Sequence, residues 1–173
     1  MPIVHVCPWS ELPAVARRVR PSRVVSLLDP GDWPETPEGV APEAHHRVGV
    51  HDFAEPGDGL TIPEEEHVRE LIGFLRGWDP ATPILIHCWA GISRSTATAL
   101  ITLALHNPGR EVAAAKAIRL QSPVASPNRR IVAIADRLMG LDGRLVEGLA
   151  AMGPAQRSWI NTPFSVPLDL WGE

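Results

Sequence analysis

Ile84-Leu85-Ile86-His87-Cys88-Trp89-Ala90-Gly91-Ile92-Ser93-Arg94-Ser95 is the stretch on which the fold turns. Its first three residues are an apolar run behind Pro83, and with His87 they read as a buried strand bounded by turn residues. Residues 95–106 then read as a helix, stopped by Asn107-Pro108-Gly109. A strand that ends in a tight turn and feeds a helix puts the turn at the carboxyl edge of a sheet. That edge is where open α/β sheets bind their ligands.

Working outward, residues 3–7 and 24–28 are further β-branched runs, and a fourth strand is expected at 47–50. Helices are expected over 13–20, 111–121, 128–139 and 143–152. The clearest covers 64–78, where Val68, Leu71, Ile72, Leu75 and Trp78 recur at helical spacing behind Pro63 and Glu64 to Glu66. Asn128 after Pro127 is placed as an N-cap. Strands alternating with helices, then helices alone, predict an α/β fold with a central, mostly parallel sheet flanked by helices. The segment from Asp29 to Glu43 holds five acidic residues and four prolines and is expected to be a loop bordering the site. Residues 1–173 read as a single domain, with 153–173 as a loosely packed tail.

The 173-residue chain is long enough to bury a core without staples, and 45% hydrophobic with 21% charged residues is ordinary globular composition. No apolar run approaches the roughly 20 residues of a membrane span. Residues 3–6 are too short for a signal peptide and lack a basic flank, so a cytoplasmic protein is expected. A net charge of −4 with dispersed basic residues argues against nucleic acid as a partner. The same acidic balance disfavours a polyanionic lipid surface, so no membrane partner is expected. The two cysteines, Cys7 and Cys88, read as free thiols.

The turn has a chemistry of its own. Backbone N–H groups between a strand and a helix N-terminus can converge on one point, and the helix dipole adds positive potential there. Gly91 permits the tight turn, and Arg94 supplies a planar fork for two oxygens of an anion. Positive potential of this kind favours the thiolate of a cysteine, which makes Cys88 a nucleophile aimed at a bound phosphoryl group. Trp89, Ala90, Gly91, Ile92 and Ser93 are then the substrate-binding turn. Ser95 can donate a hydrogen bond to the sulfur, and His87 orders the turn.

His-Cys-x5-Arg-Ser resembles the signature of the protein tyrosine phosphatase superfamily. The small size is similar to its dual-specificity branch, and the variant from His87 to Ser95 most resembles tyrosine-phosphatase-like proteins of alphaproteobacteria. The resemblance runs from the strand at 24–28 to the helix at 128–139. It implies a cysteine-phosphatase-like fold and hydrolysis through a cysteinyl-phosphate intermediate, with no metal or organic cofactor. The implied partner is a phosphorylated protein or small phosphate ester.

The resemblance also implies a general acid upstream of the cysteine. Asp52 fits best, at the end of the 47–50 strand before Pro56-Gly57. Asp58 is the runner-up and Glu55 a third candidate. Trp33-Pro34-Glu35 lies too early in the chain. Asn128 is expected to cap its helix and can also support the turn. His45, His46 and His51 invite a metal reading, but His46 and His51 face opposite sides of a strand and no cysteine or carboxylate completes a set. Trp89 either walls the pocket or packs beside the turn. Cys7 reads as a core residue, with a redox partnership with Cys88 as the lesser alternative. Two other functions compete: a phospho-binding module without turnover, and a rhodanese-like sulfurtransferase. The Arg at the sixth position after Cys88 and the Ser beyond it favour phosphoryl chemistry.

Overall fold

The structure, a computed structural model, describes residues 3–170. In chain order the elements are β1 (Ile3–Pro8), α1 (Leu12–Val19), β2 (Arg23–Leu28), β3 (His45–Gly49), α2 (Glu65–Arg76), β4 (Ile84–Cys88), α3 (Arg94–His106), α4 (Glu111–Gln121), α5 (Arg129–Met139), α6 (Arg144–Ala151) and β5 (Phe164–Pro167). The strands form one sheet in the order β3-β2-β4-β1-β5. The first four are mutually parallel and β5 runs antiparallel to β1. The expected α/β architecture is therefore present, with β4 at its centre.

Each strand alternates its side chains between two helix-covered faces. Val4, Val6, Val25, Leu27, Ile84, Ile86 and Cys88 face the larger cluster, with residues of α2, α3, α4, α5 and α6. Cys7, Val24 and Leu85 face the smaller cluster with Leu12, Val15 and Ala16 of α1. The chain thus leaves β1 toward one face and leaves the adjacent β4 toward the other. A crevice opens between their carboxyl ends where two neighbouring connections part in this way.

Helix α3 is buried on all sides from Arg94 to Ala104. A helix can be buried all round only if its polar side chains are satisfied. Thr98 Oγ1 donates to Arg94 O (3.0 Å) and Thr102 Oγ1 to Thr98 O (2.8 Å). Helix α2 begins with a capping box in which the backbone of Glu64 donates to His67 Nδ1 at 3.1 Å.

The structure corrects two expectations. The fourth strand lies at His45–Gly49, two residues earlier at its start than expected, because His45 pairs with Val24 in register with β2. The tail is not loosely packed as a whole. Its Phe164–Pro167 segment adds an edge strand to β1, with Val166 fully buried and Leu168 nearly so. Asn107 Nδ2 also donates to Leu168 O at 2.7 Å. Prolines at 163 and 167 mask this strand in the sequence, yet an edge position tolerates them. Residues 171–173 of the expected tail lie outside the described residues.

Candidate active site

The turn between β4 and α3 is braced through its carbonyls. Trp89 O accepts from Trp9 N (3.1 Å), Ala90 O from Asn161 N (2.9 Å), Ile92 O from Ser126 N (2.9 Å) and Ser93 O from Asn128 N (3.2 Å). Gly91 O accepts from Asn161 Nδ2 at 2.8 Å. All the carbonyls of residues 89–93 are therefore turned to the surrounding scaffold. A trans peptide sets its N–H opposite its C=O, so the amides of residues 90–94 are turned the other way. Among the described residues none of those five amides meets an acceptor. Such unpaired amides at a helix N-terminus form an anion cradle.

Gly91 has φ of +69°, and a Cβ on it would stand 2.8 Å from Pro8 N. Only glycine fits there. Cys88 is buried beneath the turn, and its Sγ lies 3.0 Å from Ser95 Oγ. Arg94 is also buried. Its Nη1 donates to Asp29 Oδ1 at 2.7 Å and to Val50 O at 2.6 Å, whereas its buried Nε has no partner. The guanidinium is held at one corner and keeps donors for an anion.

Asp52 lies beside this turn. Its Oδ1 accepts from Ser93 Oγ (2.7 Å) and from Asn128 Nδ2 (2.9 Å). Asn128 also caps α5, its Oδ1 accepting from the amides of Arg130 and Ile131 at 3.1 Å each. One side chain thus starts a helix and ties Asp52 to the turn. Asp58 and Glu55 are exposed and make no side-chain bond to the turn. Trp89 is half exposed, with its ring edge-on to Trp9 at 4.7 Å.

His87 faces the α1 side of the sheet. Its Nε2 lies 2.5 Å from Ser26 Oγ, and Ser26 Oγ lies 2.7 Å from His45 Nε2. His45 Nδ1 in turn meets Thr36 Oγ1 at 3.0 Å. Burial, aided by the charges of His45 and Arg94, pushes His87 down to about 3. Burial, with Arg47 and His46, pushes His45 down to about 4. Both rings are therefore neutral at neutral pH and serve as hydrogen-bonding struts. Burial raises Cys7 to about 12, with Cys88 and Glu11 adding to the rise. Cys7 shares the face of His87 in strand register, opposite to that of Cys88. Among the described residues no set of three His, Cys, Asp or Glu side chains is placed to hold a metal ion.

The structure brings Cys88, Arg94, Ser95, Asp52, Ser93 and Asn128 together. Sequence reasoning missed Asp29, Asn161 and the Ser26–His45 pair. Asp29 had a signal, since it follows the end of β2 at the carboxyl edge of the sheet and opens the acidic loop expected to border the site. Asn161 had none.

No protein-family model matches the sequence, and no curated protein matches it either. Solved structures do match in shape. DUSP15 has a TM-score of 0.60 at 19% identity, covering 88% of this chain and 89% of its own. The human tyrosine phosphatase-like serine/threonine/tyrosine-interacting protein has a TM-score of 0.62 at 14% identity, covering 80% and 92%. PTPMT1 in complex with PI(5)P has a TM-score of 0.57 at 14% identity, covering 86% and 91%. The chain therefore shares the α/β fold of the dual-specificity phosphatases.

Proposed function

We propose that this protein is a phosphomonoester hydrolase acting through a cysteinyl-phosphate intermediate, of the tyrosine and dual-specificity phosphatase kind. One observation carries the reading: in the turn that follows Cys88, five amides and the Nε of Arg94 meet no acceptor among the described residues. Donors fixed in place before substrate arrives stabilise charge on the equatorial phosphoryl oxygens without reorganising.

Cys88 Sγ, as thiolate, forms the S–P bond while the P–O bond to the leaving group breaks. Asp52 gives its proton to the departing oxygen. Water then attacks phosphorus, Asp52 takes the proton, the S–P bond breaks and inorganic phosphate leaves. Ser95 Oγ, 3.0 Å from the sulfur, donates a hydrogen bond that helps the thiolate depart. The Oδ1 of Asp52 is held by Ser93 and Asn128, which leaves its other oxygen to carry the proton. His87 takes no part in proton transfer.

The substrates are phosphorylated proteins or small phosphate esters. Among the described residues no helix is long and apolar enough to cross a membrane. Turnover of p-nitrophenyl phosphate tests the reading: Cys88→Ser abolishes it while inorganic phosphate still binds. Undiminished turnover in that variant contradicts it.

A further inference from the structure

Between α6 and β5 the chain runs back past the Cys88 turn and is pinned at both ends. Gln156 N donates to Pro123 O at 2.9 Å, and Asn161 N donates to Ala90 O at 2.9 Å. Held between them are Arg157, Ser158, Trp159 and Ile160, folded on themselves by a 2.6 Å bond from Ser158 Oγ to Ile160 O. Trp159 is 97% exposed and Ile160 52%. An indole held wholly in water by an anchored segment contributes nothing to the core, and exposed aromatic surface beside a site marks a contact surface.

A groove of about 520 Å³ separates this segment from the turn, lined by Ile92, Val124, Ala155, Gln156, Arg157 and Trp159 among others. Ile92 belongs to the turn itself, so the groove adjoins the turn that carries the anion cradle. Arg157 makes no ion pair or hydrogen bond among the described residues. The groove thus offers apolar walls and, among the described residues, the unpaired guanidinium of Arg157 beside the turn.

We propose that this groove binds the polypeptide flanking a phosphorylated residue. An apolar side chain of the substrate lies against Ile92, Val124 and Trp159, and an acidic one faces Arg157. This rests on the phosphatase reading of the turn. A lipid surface fits less well. Anionic membranes are held by clusters of several basic residues, whereas Arg157 is the one cation among the described residues that line this groove, the loop bearing Asp52, Glu55 and Asp58 borders the same turn, and the chain carries a net charge of −4.

The test measures kcat/KM on a phosphotyrosine peptide with leucine and aspartate on both sides, on the same peptide with serines there, and on p-nitrophenyl phosphate. The wild-type protein is expected to prefer the Leu/Asp peptide by about tenfold, the size of one buried contact. Trp159→Ala removes that preference, and Arg157→Glu turns it toward a Leu/Lys peptide. Equal rates on the two peptides, or a preference that survives Trp159→Ala, overturns the proposal. A Trp159→Ala loss confined to PI(5)P in phosphatidylcholine vesicles overturns it too, in favour of a membrane. If no phosphomonoester is hydrolysed, the phosphatase reading has failed separately. Anisotropy of the labelled Leu/Asp phosphopeptide then decides: binding about tenfold tighter to wild type than to Trp159→Ala supports the groove, and equal binding overturns it.

Discussion

Replacing Asp29 by alanine removes the only carboxylate that Arg94 meets among the described residues. Nη1 of the buried guanidinium rests on Asp29 Oδ1 at 2.7 Å and Val50 O at 2.6 Å. Arg94 is buried, but the side chain of Asp29 is 38% exposed. Water can therefore enter the space that alanine leaves and solvate the guanidinium, and the full penalty for orphaning an ion in a dry core is not reached. A charge-assisted hydrogen bond contributes about 1.5–3 kcal/mol net, and solvent screening brings this one to about 1–2 kcal/mol. For a chain of this size that lowers Tm by roughly 3–6 °C. Turnover suffers more, because a guanidinium held only by Val50 O can pivot away from the equatorial oxygens. The expected fall in kcat/KM is about ten- to a hundredfold, or roughly 1.4–2.7 kcal/mol of barrier. Asp29→Asn keeps an oxygen acceptor and removes a negative charge facing the substrate dianion. It should therefore retain most of the activity and bind inorganic phosphate at least as tightly. Steady-state kinetics on p-nitrophenyl phosphate and thermal melting read both quantities. Wild-type kcat/KM and Tm in Asp29→Ala would refute the assignment of Asp29 as the residue that positions Arg94.

Asn161→Ala leaves Gly91 O and Ser122 Oγ without the 2.8 Å bonds they now receive, and urea unfolding should show a loss of about 2 kcal/mol; an unchanged midpoint contradicts the bracing role. Asp52→Asn should slow hydrolysis of phenyl phosphate by roughly a hundredfold or more and that of p-nitrophenyl phosphate less, since the nitrophenolate leaves without a proton. Equal losses on the two esters would move the acid role away from Asp52. The neutral histidines set an acid limit on stability. His45 and His87 are held down to about 4 and about 3 in the fold, but return to about 6.5 on unfolding. The unfolded chain therefore takes up protons that the folded one refuses. Stability is full above about pH 6.5 and is lost as pH falls, by up to about 1.4 kcal/mol per unit for each ring. Urea midpoints between about pH 7 and 5.5, where carboxylates stay ionised, should fall; a flat profile contradicts neutral burial.

What was legible in the sequence shared one property: its signal was local. The turn from Cys88 to Ser95 is contiguous, and the strand before it and helix after it announce themselves by apolar pattern. Helices α1 to α6 were all anticipated within about two residues, because amphipathic spacing and caps such as Asn128 act over a single turn. The position of Asp52 beside the turn was legible from its place at a strand end, although spacing alone left the choice among Asp52, Asp58 and Glu55 as proton donor open. What failed was long-range. Asn161 reaches Gly91 across 70 residues and Asp29 reaches Arg94 across 65; Asn161 carries no mark beyond being polar, and the place of Asp29 at a strand end does not name its partner. The β5 strand is short, flanked by prolines, and depends on pairing with β1 for its existence. His45 showed that several histidines close in sequence need not be ligands, since its ring is used up by Ser26 and Thr36.

The central claim concerns a covalent bond, and trapping that bond tests it most directly. In Asp52→Ala, p-nitrophenyl phosphate still phosphorylates Cys88 because its leaving group needs no acid, while hydrolysis of the intermediate loses its base. Rapid quenching in denaturant followed by peptide mass mapping should therefore find one phosphoryl group on the peptide bearing Cys88, with a burst of nitrophenolate of matching size. Turnover with no phosphoryl group on Cys88, or with one on another residue, would contradict the account.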